Sequence, residues 1–259
     1  MNDQTPAIFL GSKRSSLASV KNNMRIYLLF LFCIGSAYAQ PGGQITVGFA
    51  DRYDSLPTLD FKPAAADRYE KLSAAPPLVQ TGVTLKKNEI TVPTAQGGIL
   101  LKPYDDQSQG DGFRGWEYKG YLPIPKMHAL VSQHVSEHLG FSDMVLLDSI
   151  SATRYVIASI GDGAVEVPIP SPKGQFLVYY YNYVYERNSC FVGVLRIAEP
   201  NNSAEFRLAE LMSFQTKDWA VKDIRWIDDH SFIVKAYTVQ RTSTSERKQY
   251  AYYLAKINI

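Results

Sequence analysis

From residue 89 onward, apolar and polar residues alternate in short runs, separated by proline, glycine or acidic turns. Residues 89–93, 98–101 and 116–121 open the series. Residues 127–135, 144–148 and 154–158 follow, then 175–185, 191–197 and 206–211, and finally 221–227, 231–239 and 249–257. The runs are short, rich in Val, Ile, Tyr and Phe, and either apolar throughout or of period two, so they predict β-strands. Turns recur at 123–126, 171–174 and 228–231, with Lys126 and Gly174 48 residues apart and Gly174 and Ser231 57 apart. Short strands at this spacing, without crossover helices between them, predict an all-β antiparallel domain of about three similar units over residues 89–259.

The pattern fails before that point. Pro41, Pro57, Pro63, Pro76 and Pro77 interrupt residues 40–88, and apolar residues there are sparse and without period. Such a stretch buries too little surface to offset its ordering entropy, which predicts an extended or disordered arm. Residues 50–56 and 66–72 echo each other as Ala-Asp-Arg-Tyr, an acid, one further residue and Leu; in so short a window the echo is read as chance.

The N-terminus changes the picture of compartment. Residues 26–34 form an apolar run of nine, preceded by Lys13, Arg14, Lys21 and Arg25 and followed by Ala37-Tyr38-Ala39. A basic flank, a run too short to span a bilayer and a small-x-small exit predict a signal peptide cleaved after Ala39, with translation starting at Met1 or Met24. The chain is therefore expected in the periplasm or outside the cell. No later run is long and apolar enough for a transmembrane helix.

Cleavage also changes the charge. Lys and Arg total 27 and Asp and Glu 25, but residues 1–39 carry four bases and only Asp3 as acid, so the mature chain is left at about −1. That balance predicts no nucleic-acid partner. Cys190 is then the sole cysteine, expected buried, and the fold must hold by its core without an internal disulfide.

Ser171-Pro172-Lys173-Gly174, followed by Gln175-Phe176-Leu177-Val178-Tyr179-Tyr180, resembles the Ser-Pro-Asp-Gly turn and strand of TolB-type and WD40-like β-propeller blades. Residues 223–229 followed by 232–234 resemble the matching edge of a further blade. Lys173 stands where the signature has Asp. The resemblance implies blade-like units, here about three, in an open or truncated propeller or a sandwich, as in uncharacterised exported bacterial proteins. Residues 89–118 would supply a partial fourth sheet, and the likeness implies almost nothing about function.

Two stretches carry candidate chemistry. His134-Val135-Ser136-Glu137-His138 has the H-x-x-E-H form of inverted zinc metallopeptidases. It requires His134 and His138 one turn apart on a helix as zinc ligands, with Glu137 as general base and a further glutamate downstream, of which Glu205 and Glu210 are nearest. The same residues fall where the turn spacing places a strand. Tyr179, Tyr181, Tyr183 and Tyr185 would share one face of a strand, with Tyr180 on the other. Exposed, the four would form a stacking platform for a sugar or peptide; buried, they would be packing between sheets.

The remaining polar clusters read as turns. Residues 105–112 lack the glutamate that would close a calcium loop, since position twelve is Trp116. Asp228 and Asp229 are placed to cap backbone amides. Nucleophile elbow, phosphate loop, Cys-x-x-Cys pair and dinucleotide fingerprint are all missing. The expectation is an exported, non-catalytic binding or scaffolding protein without a cofactor, meeting a protein or glycan of the cell envelope at a sheet edge or the tyrosine face. The alternative is a secreted hydrolase, zinc-dependent through His134, Glu137 and His138.

Overall fold

The computed structural model describes residues 42–48, 55–105, 110–137, 139–198, 207–241 and 245–258. The leader and its cleavage site lie outside these residues. The chain enters with β1 (Gln44–Val47), β2 (Asp60–Pro63) and the short helix α1 (Ala66–Glu70). A three-stranded sheet follows, made of β3 (Thr84–Lys86), β4 (Glu89–Thr94) and β5 (Gly97–Leu101). The second sheet is an antiparallel meander of β6 (Arg114–Leu122), β7 (Met127–Ser136), β8 (Leu139–Asp148) and β9 (Arg154–Ile157). The third runs β10 (Ile169–Pro170), β11 (Phe176–Asn182), β12 (Cys190–Ile197) and β13 (Leu208–Thr216). The fourth runs β14 (Ala220–Asp228), β15 (Ser231–Arg241) and β16 (Glu246–Lys256). The fold is all-β, with four largely antiparallel sheets that do not close into a barrel. Among the described residues no helix is long and apolar enough to cross a membrane.

Strand alternation explains how the sheets pack. In β8, Val145 and Leu147 join Ile90, Val92, Ile99 and Leu101 in a core between the first and second sheets. Their neighbours Met144 and Leu146 point the other way, into a core shared with Leu177, Tyr179 and Phe191 of the third sheet. Phe176, Val178 and Val192 in turn meet Ile224, Phe232 and Val234 of the fourth. Sheets buried on both faces need near-continuous apolar strands, which accounts for the runs at 144–147 and 176–181. Cys190 lies wholly inside the last of these cores, where burial pushes its thiol pKa up.

In its described residues, the segment at 40–88 pairs with sheet edges at several points and contains the helix α1. β1 lies parallel to β9 on the second sheet. Leu59 donates to Ser213 of β13 and Ser213 donates back to Pro57, at 2.9 and 3.1 Å. β2 lies antiparallel to β16 and completes the fourth sheet. The arm thus shares hydrogen bonds with the sheets and also buries Val47, Leu59 and Tyr69, which together offset its ordering cost.

The three turns singled out by spacing each join the first and second strands of their sheet, and they touch. Ile124 of the second sheet packs over Gly174 of the third, where a Cβ would stand 2.1 Å from Ile124 Cγ2. Gly174 also has φ +72°, so the position suits glycine on both counts. Ser171 Oγ accepts from the amides of Gln175 and Phe176, each at 3.1 Å. The Lys173 amide donates to Asp229 Oδ1 of the fourth sheet at 2.8 Å. This row of turns borders an apolar groove of about 330 Å³, walled on its other side by residues 73–77.

Candidate binding face

The sequence-selected tyrosines separate. Tyr179 and Tyr181 are buried in the core between the second and third sheets. Tyr183 lies past the end of β11, half-buried, its ring edge-on to Tyr181 at 5.3 Å and its hydroxyl accepting from Gln215 Nε2 at 3.0 Å. Only Tyr185 is open, at 87% exposure, and it too lies outside the strand. The shared platform is therefore not formed. The third sheet has a neighbour on each face, so the face that collects the odd-numbered tyrosines is interior.

The five-residue histidine motif lies on a hairpin. Met127–Ser136 is strand β7, so the helical turn that would bring two histidines to one face is not present there. The His134 ring stacks on Phe141 of β8, centroids 5.3 Å apart. Glu137 is an exposed turn residue with φ +51°, and His138 lies outside the described residues, as does Glu205. Glu210 sits on β13. Among the described residues no three of His, Cys, Asp and Glu gather as a metal-binding group. Asp228 and Asp229 act as turn residues. Burial alone would raise the Asp228 pKa, but hydrogen bonds from the Ser231 hydroxyl and the His230 and Ser231 amides hold it below the ordinary value.

The exposed aromatic face is on the fourth sheet. That sheet packs on the third through Val234, Ala236 and Ala255, with Tyr253 against them. The intervening residues point away: Lys235, Tyr237, Val239 and Arg241 on β15, opposite Tyr252, Tyr250, Lys248 and Glu246 on β16. Residues directly opposite in an antiparallel pair share a face, so these eight form one surface. Its lysines lie against its tyrosine rings. Lys248 Nζ lies 4.3 Å from the Tyr237 centroid, and Lys235 Nζ lies 5.3 Å from Tyr250 and 5.7 Å from Tyr252. Tyr250 is 47% exposed.

The pairing pattern lifts this face out of the body. β14 pairs with β15 only as far as Tyr237, and β2 reaches only Tyr253 of β16. Beyond those points the two strands continue as a ribbon, tied down where Asn188 Oδ1 accepts from the Val239 amide at 2.6 Å. Arg241, Arg247 and Lys248 stand on the ribbon with Glu246 as the one acid among its described residues, which Arg241 approaches to 3.0 Å and Arg187 to 3.6 Å. In a chain with little net charge, this is a local concentration of positive charge.

The base of the face is fixed by α1. Tyr69 is buried, its hydroxyl hydrogen-bonds to Asp223, and Arg225 covers its ring at 4.3 Å. Glu70 stands 3.4 Å from Lys235 and 4.0 Å from Arg225. Burial lowers the Lys235 pKa, but Tyr252 and Glu70 more than offset it, so the ammonium is retained. The arrangement offers ring faces for stacking and ammonium groups for anionic or hydroxyl oxygens.

Sequence reasoning passed over Tyr237, Tyr250 and Tyr252 because Tyr179–Tyr185 is denser. The available signal was Glu246–Tyr250, a strongly polar run leading into the strand expected at 249–257, which extends that strand to Glu246 with an exposed start. Comparison with family models, with curated proteins and with solved structures finds no match in any of the three.

Proposed function

We propose that this chain is an exported, non-catalytic binding or scaffolding protein that meets a protein or glycan of the cell envelope at the Lys235, Tyr237, Lys248, Tyr250 and Tyr252 face. The observation that carries the reading is the set of cation–tyrosine contacts on the outward face of β15 and β16, which no other sheet covers among the described residues. Binding surfaces favour tyrosine because it supplies large contact area with few rotors to freeze. Export rests on the basic flank, apolar run and Ala37-Tyr38-Ala39 exit of the leader. The stacked, largely antiparallel sheets, two of them four-stranded, and their touching turns support reading the units as propeller-like blades.

The test is capture from solubilised envelope by the full-length protein, as processed by its host, and by the variant Lys248→Gln/Tyr250→Ala. Both residues are exposed, so the variant is expected to unfold within about 0.5 kcal/mol of the parent. The expected result is a protein or glycan retained by the parent and lost by the variant. An identical set retained by both removes this face from the binding role.

A further inference from the structure

Between the turns of the second and third sheets lies a separate cleft of about 200 Å³. Its walls carry Ile124, Ile150 and Ile197, and three basic side chains, Lys126, Lys173 and Arg207, open onto it. None of the described residues that line it is acidic. We propose that this cleft is a binding site for a small organic anion, a carboxylate or phosphate head on a short apolar body.

The argument starts at Arg207. Its Nη1 lies 2.6 Å from Oδ2 of Asp148, a fully buried carboxylate, and its Nη2 donates to the Pro125 carbonyl at 2.8 Å. Its own amide donates to the Tyr155 hydroxyl at 3.1 Å. The guanidinium is therefore held in place before any ligand arrives, while its Nε is buried with no hydrogen-bond partner among the described residues. A buried donor without an acceptor is costly, and Arg207 lines the cleft in which an anion would bring negative charge beside the guanidinium.

Lys126 and Lys173 add the charge that Asp148 does not already balance. Each stands on a turn whose backbone is fixed. The Lys126 carbonyl accepts from the Ser149 hydroxyl at 2.7 Å, and the Lys173 amide is held by Asp229. Both side chains are exposed and have the reach to close over a ligand head. The three isoleucines give the rest of the ligand an apolar floor. Preformed walls and positioned charges reduce the ordering cost of binding. This cleft is independent of the ribbon face, so it stands or falls separately from the proposed partner-binding role.

Isothermal titration of the full-length protein, as processed by its host, with hexanoate and with uncharged hexanamide tests it. Hexanoate is expected to bind once per chain with a Kd on the order of millimolar or tighter, as suits a ligand of that size. Hexanamide should bind roughly tenfold more weakly or worse, because the charge-assisted contacts are lost. Lys126→Gln/Lys173→Gln should weaken hexanoate by a similar factor while leaving the thermal midpoint of the free protein unchanged. Lys248→Gln, on the ribbon, should leave hexanoate binding as it was. No saturable hexanoate binding, equal binding of the amide, or an unaffected double variant would each overturn the assignment.

Discussion

Gly193 sits directly across the strand pair from Tyr179, and the tyrosine ring occupies the space a side chain would take. A Cβ built on Gly193 would stand 2.3 Å from Tyr179 Cζ, inside the core between the second and third sheets. Gly193→Ala is therefore expected to destabilise the protein by about 1–3 kcal/mol through overpacking, measured by urea unfolding. Tyr179→Leu should remove most of that added cost when combined with it, because the clash is with the ring. A Gly193→Ala protein as stable as the parent would mean the ring moves aside freely.

Tyr69 secures the N-terminal arm to the outer face of the fourth sheet. Tyr69→Phe deletes the hydroxyl that meets Asp223 but keeps the ring under Arg225, with an expected cost of about 1–2 kcal/mol. Tyr69→Ala also empties a buried site and should cost about 3–5 kcal/mol. The order of the two variants is the informative part. If alanine costs no more than phenylalanine, the ring contributes nothing to docking.

His128 makes stability depend on pH with a definite sign. It is buried; its Nε2 faces the Pro93 carbonyl at 3.0 Å and its Nδ1 faces the Tyr118 hydroxyl at 3.2 Å. A carbonyl can only accept, so Nε2 carries the proton and Nδ1 accepts from Tyr118, whose own pKa is pushed up to about 12, chiefly by burial. Burial lowers the His128 pKa below its ordinary 6.5, more than the Pro93 contact raises it. In this window the unfolded chain binds more protons than the folded one. Its contribution is therefore complete above pH 6.5 and declines as the pH falls from there toward the folded value. Urea midpoints between pH 7.5 and 5 should fall less steeply for His128→Gln than for the parent; parallel curves would contradict the assignment.

The strands were legible because their period is local. The run expected at 127–135 is β7 (Met127–Ser136), and 191–197 is β12 (Cys190–Ile197). What each face meets is not local. Tyr179 and Tyr250 both alternate along strands, yet one is interior and the other exposed, because the third sheet has two neighbours and the fourth has one. The arm was hard to read for a related reason. β2 sets Phe61 against Phe214, Trp219 and Phe232, all distant in sequence, and pairs with a strand nearly two hundred residues later. The echoed segment at 66–72 contains α1 and docks through Tyr69, while much of its counterpart at 50–56 lies outside the described residues.

The pairing of Asp60–Pro63 with Tyr253–Lys256 also sets an order of events during synthesis. β2 leaves the ribosome long before its partner β16, with which it completes the fourth sheet. Closing so large a loop carries a high entropic cost before any contact rewards it. The fourth sheet therefore reaches its full width only once residues 253–256 have been made.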